Sequence, residues 1–400
     1  MKRWLTRLSK SRFPYEPLIT VEISRGRLLN NLNQFKKLAP NGNIAPVLKS
    51  NAYGHGLIEV AEILESEKAP FFVIDSYFEA VALRARGINT PLLVIGYTRP
   101  ETIANSRLKN ISFAVTSIET LRSLRELTSD RNCTCNKFSF FRRRSAIHLK
   151  IDTGMRRQGI LPEEVAETMH IIKSNPRIII EGIASHLPDA DNSDQSFTLN
   201  QIALWNDIVD RFTAAFPELK YIHLANTDGH RFHGKIKANI SRLGIGLYGL
   251  SDNNPFSAEK SPALDIQPVM ELKTIITGVK TLKKGESAGY SRTFTALNEM
   301  RIATVPAGYF EGVDRRLSNN GSMLICEKRV PCPIIGRVSM NISTVDVSGV
   351  TDAKIGTPVI VFSRGTSDLN SIRNAAALCG TIPYEIAVKI PTHLKRTIVE

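Results

Sequence analysis

The sequence is poor in cysteine, with five in 400 residues, and Cys133 and Cys135 are the one closely spaced pair. An odd count with no second pair excludes a legible disulfide framework or a paired-cysteine zinc site. Free thiols in a reducing cytoplasm are expected instead. Long apolar runs are missing too. The longest are strand-sized, such as FFVI at 71–74, well short of the roughly eighteen residues a membrane helix needs. A repeat at fixed period is absent, which argues against a solenoid. Acidic residues are outnumbered, 38 against 52 Lys and Arg, for a formal charge of +14. The basic residues are scattered, with no basic stripe interleaved with aromatics, so the excess reads as solvated surface and neither nucleic acid nor membrane is an expected partner. The opening MKRWLTRLSKSR is basic without an acid and lacks a secretory apolar core, so residues 1–14 read as a basic tail.

What is present from residue 43 onward is a rhythm. Eight short apolar or β-branched runs, NIAPVL (43–48), FFVI (71–74), PLLVI (91–95), ISFAV (111–115), AIHLKI (146–151), IIIEGIASH (178–186), YIHLAN (221–226) and ISRLGIGLYG (240–249), alternate with helical patterns. The clearest helix has Phe197, Ile202, Trp205, Ile208, Val209 and Phe212 at helical spacing. Parallel strands need crossover helices and read as near-continuous apolar runs, so this pattern predicts an α/β fold, a TIM-like (β/α)8 barrel over residues 15–262. The segment SDRNCTCNKFSFFRRRS (129–145) interrupts the rhythm and reads as a loop. After Pro262, VMELKTIITGVKTL, IATVPAG, CPIIGRVSMNISTVDV and TPVIVFS alternate and are separated by turn residues. They predict a smaller, mostly antiparallel β domain over 263–400.

A barrel places its chemistry at the carboxyl ends of its strands. There the sequence sets Lys49 after the first run, Lys150 in the fifth, His186 ending the sixth, Asn226 and Thr227 ending the seventh, and Arg242, Gly244 and Ile245 in the eighth. One polar residue at a strand end is usually structural, but five strands converging on one rim make a site. The remaining histidines, His55, His148, His223, His230, His233 and His393, form no metal-like set, and no metal is expected. They read as structural or surface residues.

A lysine in an apolar barrel mouth loses its proton readily, and its neutral amine can condense with an aldehyde. Around it, Gly244 and Ile245 offer backbone N–H groups, and Thr227 and Tyr53 offer hydroxyls, to a phosphate. Lysine plus a phosphate cradle points to pyridoxal 5'-phosphate.

Over residues 20–390 the chain resembles the alanine racemases, fold-type III enzymes that use this cofactor. VLKSNAYGHG resembles their lysine motif, which implies Lys49 as the Schiff-base residue and Tyr53 as a phosphate ligand. HLKIDTGMRRQG resembles the segment whose arginine, here Arg157, binds the cofactor's phenolic oxygen, and whose lysine, here Lys150, is often carbamylated. ASH implies His186 against the pyridine ring, HLANTDG implies Asn226 and Thr227 at the cofactor, and SRLGIGLYGL implies Arg242, Gly244 and Ile245. In the second domain the resemblance implies Tyr290 as a catalytic base, Tyr309, Met340 and Asn341 about the substrate, and Tyr384 on the phosphate. It further implies a cytoplasmic homodimer in which each site joins one chain's barrel to its partner's β domain, making D-alanine for bacterial peptidoglycan.

Racemisation needs proton removal on one face of a carbon and delivery on the other, hence two bases. The resemblance implies Lys49 for the D-enantiomer and Tyr290 for the L-enantiomer. A tyrosine, ordinarily titrating near 10, needs help to act as a base, and cationic surroundings including Arg242 would favour its phenolate. Two positions depart from the family pattern: Arg156 replaces a glycine, and Asn341 replaces an aspartate. The second bears on strict alanine specificity. A racemase acting on serine, lysine or a broad set, a decarboxylase of the same barrel, and a non-catalytic cofactor-binding protein are the rivals. The last lacks the β domain that supplies Tyr290.

Overall fold

The computed structural model describes residues 16–38, 43–128, 144–251 and 264–400. The basic tail, Cys133, Cys135 and nearly all of the 129–145 loop lie outside them. Two compact units emerge, one spanning Arg25–Val269 and the other joining the first strand to Met270–Glu400.

The first strand, β1 (Thr20–Ser24), belongs with the carboxyl-terminal unit and not with the barrel, as the sequence reading had it. Its TVEIS alternation explains why. Val21 and Ile23 are fully buried, while Glu22 on the opposite face meets Lys273 at 2.8 Å and Arg364 at 3.1 Å. A strand of period two can be half buried in a sheet like this.

The barrel unit holds the eight expected strands: β2 (Asn43–Pro46), β3 (Phe72–Ile74), β4 (Leu92–Val94), β5 (Ile111–Val115), β6 (Ser145–Lys150), β7 (Ile178–Ala184), β8 (Tyr221–His223) and β9 (Ile240–Leu243). All pair in parallel, β3 through β8 as one curled sheet and β2 with β9. A bridge between Val47 and Val73 ties β2 to the large sheet, and Asn239 N–H to Ile222 O ties β9 to β8. Inside, Ala45, Val47, Phe71, Val73, Leu93 and Ile240 pack into one apolar cluster that also touches Tyr53 and Tyr221. The long helix Ser196–Ala215 buries Ile202, Trp205, Ile208, Val209 and Phe212, while Phe197 faces out. The barrel extends past residue 262. Asn31 exchanges side-chain bonds with both backbone groups of Gln267, at 2.8 Å each, and so holds the segment after the eighth strand against the helix Arg25–Leu38.

The second unit contains β10 (Met270–Ile275), β11 (Gly278–Leu282), β12 (Ser287–Ala288), β13 (Phe294–Thr295), β14 (Met300–Val305), β15 (Ser322–Ile325), β16 (Val330–Pro333), β17 (Ser343–Asp346), β18 (Pro358–Phe362) and β19 (Lys395–Val399). Its main sheet runs β16-β15-β18-β10-β1-β19 and is antiparallel except for β1 with β19. A second antiparallel sheet, β11-β14-β17, and the short ribbon β12-β13 complete it. Cys326, Cys332 and Cys379 carry free thiols. No helix among the described residues is long and apolar enough to cross a membrane.

Candidate active site

At the carboxyl end of β2 the chain does something unusual. Ser50, Asn51, Ala52 and Tyr53 all have φ between 52° and 56°, a left-handed turn built without glycine. Each such residue costs roughly 1–2 kcal/mol relative to the right-handed conformation. The turn persists because it is over-determined: Ala52 N–H bonds Leu48 O, His55 N–H bonds Ala52 O, and Asn51 Oδ1 accepts from Leu57 N–H at 2.9 Å. Strain of this kind marks functional segments. Here it sets Lys49, half-buried, at the start of the turn and Tyr53 at its end.

Tyr53 reaches across to the turn after β9. Its hydroxyl lies 2.9 Å from where a Cβ on Gly244 would stand, and Thr227 Oγ1 lies 3.8 Å from the same point. Thr227 Oγ1 accepts from Gly244 N–H and Gly246 N–H, both at 3.3 Å. Burial, partly countered by Arg242, pushes the Tyr53 phenol up to about 12, so it stays a donor. Two hydroxyls and a glycine-lined backbone therefore converge on one small cradle. Ile245 is buried beside it.

The other strand ends supply positive charge. Burial, then Arg242, Arg157 and Lys49, bring Lys150 down from 10.5 to about 7, with Asp152 opposing. Burial and the same cations, Lys150 included, depress His186 to about 2, so its imidazole is neutral. Each group feels the others, so Lys49, Lys150, Arg157, His186 and Arg242 occupy one region. Asp152, the carboxylate among them, accepts from Gly154 N–H at 2.8 Å and Arg156 N–H at 3.1 Å. Four cationic side chains beside one such carboxylate, next to a hydroxyl cradle, form a site that an anion completes. A phosphorylated, phenolate-bearing cofactor has that chemistry, and the residues fit it.

Arg242 is held rigidly. Nη1 donates to His223 O at 2.8 Å and faces His223 Nδ1 at 2.7 Å; Nη2 donates to Ser185 O at 2.6 Å and Leu224 O at 3.1 Å, and faces His186 Nδ1 at 3.4 Å. His223 Nε2 in turn lies 2.8 Å from His148 Nδ1. Burial and Arg242 hold both imidazoles below their ordinary range. These two histidines, assigned no role from the sequence, are the buried brace of Arg242. A signal existed, because His148 and Lys150 are two apart on β6 and so share its inward face.

Two residues gain a local structural account that the sequence did not give. Asn226 braces its own loop, with Nδ2 donating to Leu187 O at 3.1 Å and Oδ1 accepting from Gly229 N–H at 2.8 Å. Arg156, at φ 54°, occupies a left-handed position, which accounts for glycine as the residue it replaces.

Tyr290, Tyr309, Met340, Asn341 and Tyr384 lie on the second unit. Tyr290 projects from the β12-β13 ribbon and is 68% exposed. Gly289 at φ 75° and Ser291 at φ 59° flank it, and an apolar cluster of Leu282, Ala288, Ala296, Ile302 and Ile335 anchors the ribbon. Tyr309 and Met340 are also exposed, on facing turns. Tyr384 is half-buried on the short helix Pro383–Val388.

Comparison with known proteins adds the family. The profile described as "Alanine racemase, N-terminal domain" matches residues 23–252, and "Alanine racemase, C-terminal domain" matches 269–398. An alanine racemase of Lactobacillus acidophilus is 32% identical over 389 residues, 96% of this chain and 99% of that one. A solved alanine racemase of Clostridium difficile 630 superposes with a TM-score of 0.85 at 30% identity, covering 96% of this chain and 97% of the other. A histidine racemase from Leuconostoc mesenteroides subsp. sake superposes at 0.82 with 26% identity, over 97% and 99% of the two chains.

Proposed function

Because this chain belongs to the alanine racemase family and is an isomerase of the racemase class, we propose that it interconverts L- and D-alanine with pyridoxal 5'-phosphate and two bases, Lys49 and Tyr290. The observation that carries the reading is the group of Lys49, Lys150, Arg157 and Arg242 around a neutral His186, beside the Tyr53–Thr227–Gly244 cradle. Tyr53, Thr227 and the backbone at Gly244 and Ile245 would hold the phosphate, with Tyr384 a further candidate from the second unit. Arg157 would bind the phenolic oxygen and His186 would lie along the ring. The cofactor, when bound, supplies an electron sink that makes an amino acid's α-proton acidic enough to leave.

The chain's own residues do the rest. Lys49 Nζ takes or returns the α-proton on one face. Tyr290 Oη does so on the other, as phenolate when accepting. Burial lowers Arg242 to about 10, so it remains a cation at neutral pH and can only donate a hydrogen bond to a ring nitrogen. Held this way, Arg242 would keep that nitrogen unprotonated and the sink weaker, and so would disfavour transamination. The exposure of Tyr290, Tyr309 and Met340 on their own unit supports a head-to-tail pair of copies, each lending these residues to the other's barrel. The D-alanine formed would serve cell-wall peptidoglycan, in the cytoplasm.

Borohydride reduction of the loaded protein should fix the cofactor on the peptide containing Lys49. Tyr290→Phe should abolish racemisation while α-hydrogen exchange survives better from D-alanine than from L-alanine. A label on Lys150, or equal loss of exchange from both enantiomers, would refute the assignment. The same fold in a histidine racemase and the amide at 341 favour including serine, lysine and histidine in the assay.

A further inference from the structure

Position 341 carries an amide where the family pattern has a carboxylate, and the structure gives that amide a partner. Asn341 Nδ2 donates to Glu311 Oε1 at 2.6 Å, while Glu311 Oε2 accepts from Gly308 N–H at 2.9 Å. Glu311 is 6% exposed. Around this bridge two turns are pressed together backbone to backbone. Tyr309 N–H donates to Ser339 O at 3.0 Å and Phe310 N–H to Met340 O at 2.8 Å. The approach is close enough that a Cβ on Gly308 would stand 2.2 Å from Ser339 O and 2.5 Å from Met340 O. Outward from the joint project Tyr309, Phe310, Met340 and Ile342, all substantially exposed.

We propose that Glu311 is a positioning residue. It bonds one turn through Gly308 N–H and the other through Asn341, and so sets the spacing of Tyr309 and Met340 at the mouth of the substrate site. Asn341 is then a strut within the protein and not a contact to substrate. Position 341 must donate because its partner is a carboxyl group. A carboxylate there would set two acceptors at hydrogen-bond distance with no proton donor between them. The negative charge of the pair sits on Glu311, beneath the surface. This inference rests on the reading of Tyr309 and Met340 as substrate-site residues, and its test is arranged to separate the two.

Four variants of the full-length, cofactor-loaded protein serve: Glu311→Ala, Glu311→Gln, Asn341→Asp and the exchange Glu311→Gln with Asn341→Asp. Steady-state racemisation gives KM and kcat, and amide hydrogen exchange by mass spectrometry follows residues 306–312 and 339–342. Glu311→Ala should raise KM for alanine roughly tenfold while moving kcat much less, and should speed exchange in both turns. Glu311→Gln should recover most of both effects, since a glutamine can still accept from Gly308 and pair with a rotated Asn341 amide. Asn341→Asp should behave like Glu311→Ala, and the exchange variant should recover. Wild-type KM and exchange in Glu311→Ala would overturn the proposal, as would an exchange variant no better than Asn341→Asp. If Glu311→Ala fails to fold, the comparison of Asn341→Asp with the exchange variant decides. A wild type that does not racemise alanine would refute the functional reading, while the amide-exchange arm would still judge the strut.

Discussion

Lys150 offers the sharpest test of the electrostatics. Its amine is brought down from 10.5 to about 7 by burial first, then by Arg242, Arg157 and Lys49. An interval of that width, at about 1.4 kcal/mol per tenfold change in proton affinity, corresponds to an upper bound of about 5 kcal/mol. Lys150 is part-exposed, so screening leaves roughly a third of this, 1–2 kcal/mol. The sign follows from where the protons sit. The folded value lies below the unfolded one, so between pH 7 and pH 10.5 the unfolded chain binds more protons and stability rises with pH. The destabilisation is therefore fully present below pH 7 and lost as pH climbs toward 10.5.

Lys150→Met removes the charge and keeps the aliphatic stem. In protein freed of cofactor, phosphate and bicarbonate, the variant should melt about 2–4 °C above wild type at pH 6. The gap should close as pH approaches 10. Bicarbonate at pH 8 should narrow it from the other side. The neutral amine nitrogen bonds to the carbon of CO2 and releases a proton to water, and the resulting carbamate anion relieves the cations. Thermal melts across pH, with and without bicarbonate, supply the readout. A variant no more stable at pH 6, or a gain that ignores pH, would show that Lys150 does not carry a suppressed charge in this cluster.

Two further outcomes are expected. Arg156→Gly should stabilise the fold by about 0.5–1 kcal/mol, because it releases a left-handed non-glycine residue at a smaller entropic cost, whereas Arg156→Ala should gain nothing in the same denaturation measurement. Mixing inactive Lys49→Ala and Tyr290→Ala chains under conditions of subunit exchange should restore roughly a quarter of wild-type activity, since about half of randomly formed pairs are mixed and each holds one intact site of two; mixed pairs that stay inactive would place both bases in one chain.

The barrel was legible in the sequence because its strands are buried on both faces and announce themselves as apolar runs, and because crossover helices between them exclude an antiparallel sheet. The strand at Thr20–Ser24 was not, since TVEIS shows which face is buried but not which strands will pair with it. Its partners, Lys273 and Lys395 opposite Thr20, lie at the far end of the chain. Position 262 failed as a boundary for a similar reason: the side-chain bonds of Asn31 to Gln267 are long-range and leave no local pattern.

The candidate site divides along the same line. Motif resemblance names residues one at a time, and the barrel brings Lys49, Tyr53, Lys150, Arg157, His186, Thr227, Arg242 and Gly244 into one region because strand ends meet at one rim. It says little about what holds each residue, so His148 and His223, which brace Arg242, passed as ordinary histidines. The two departures from the family pattern show the difference most clearly. Read as charges, Arg156 adds one near the cofactor and Asn341 removes one near the substrate. Read as geometry, Arg156 is first a backbone matter, a side chain at φ 54° where glycine is at ease. Asn341 is half of a pair whose other half, Glu311, lies thirty residues earlier on a separate turn. A substitution that looks like simple loss at one position can be matched to a partner at another, and the distance between their side chains is what reveals it.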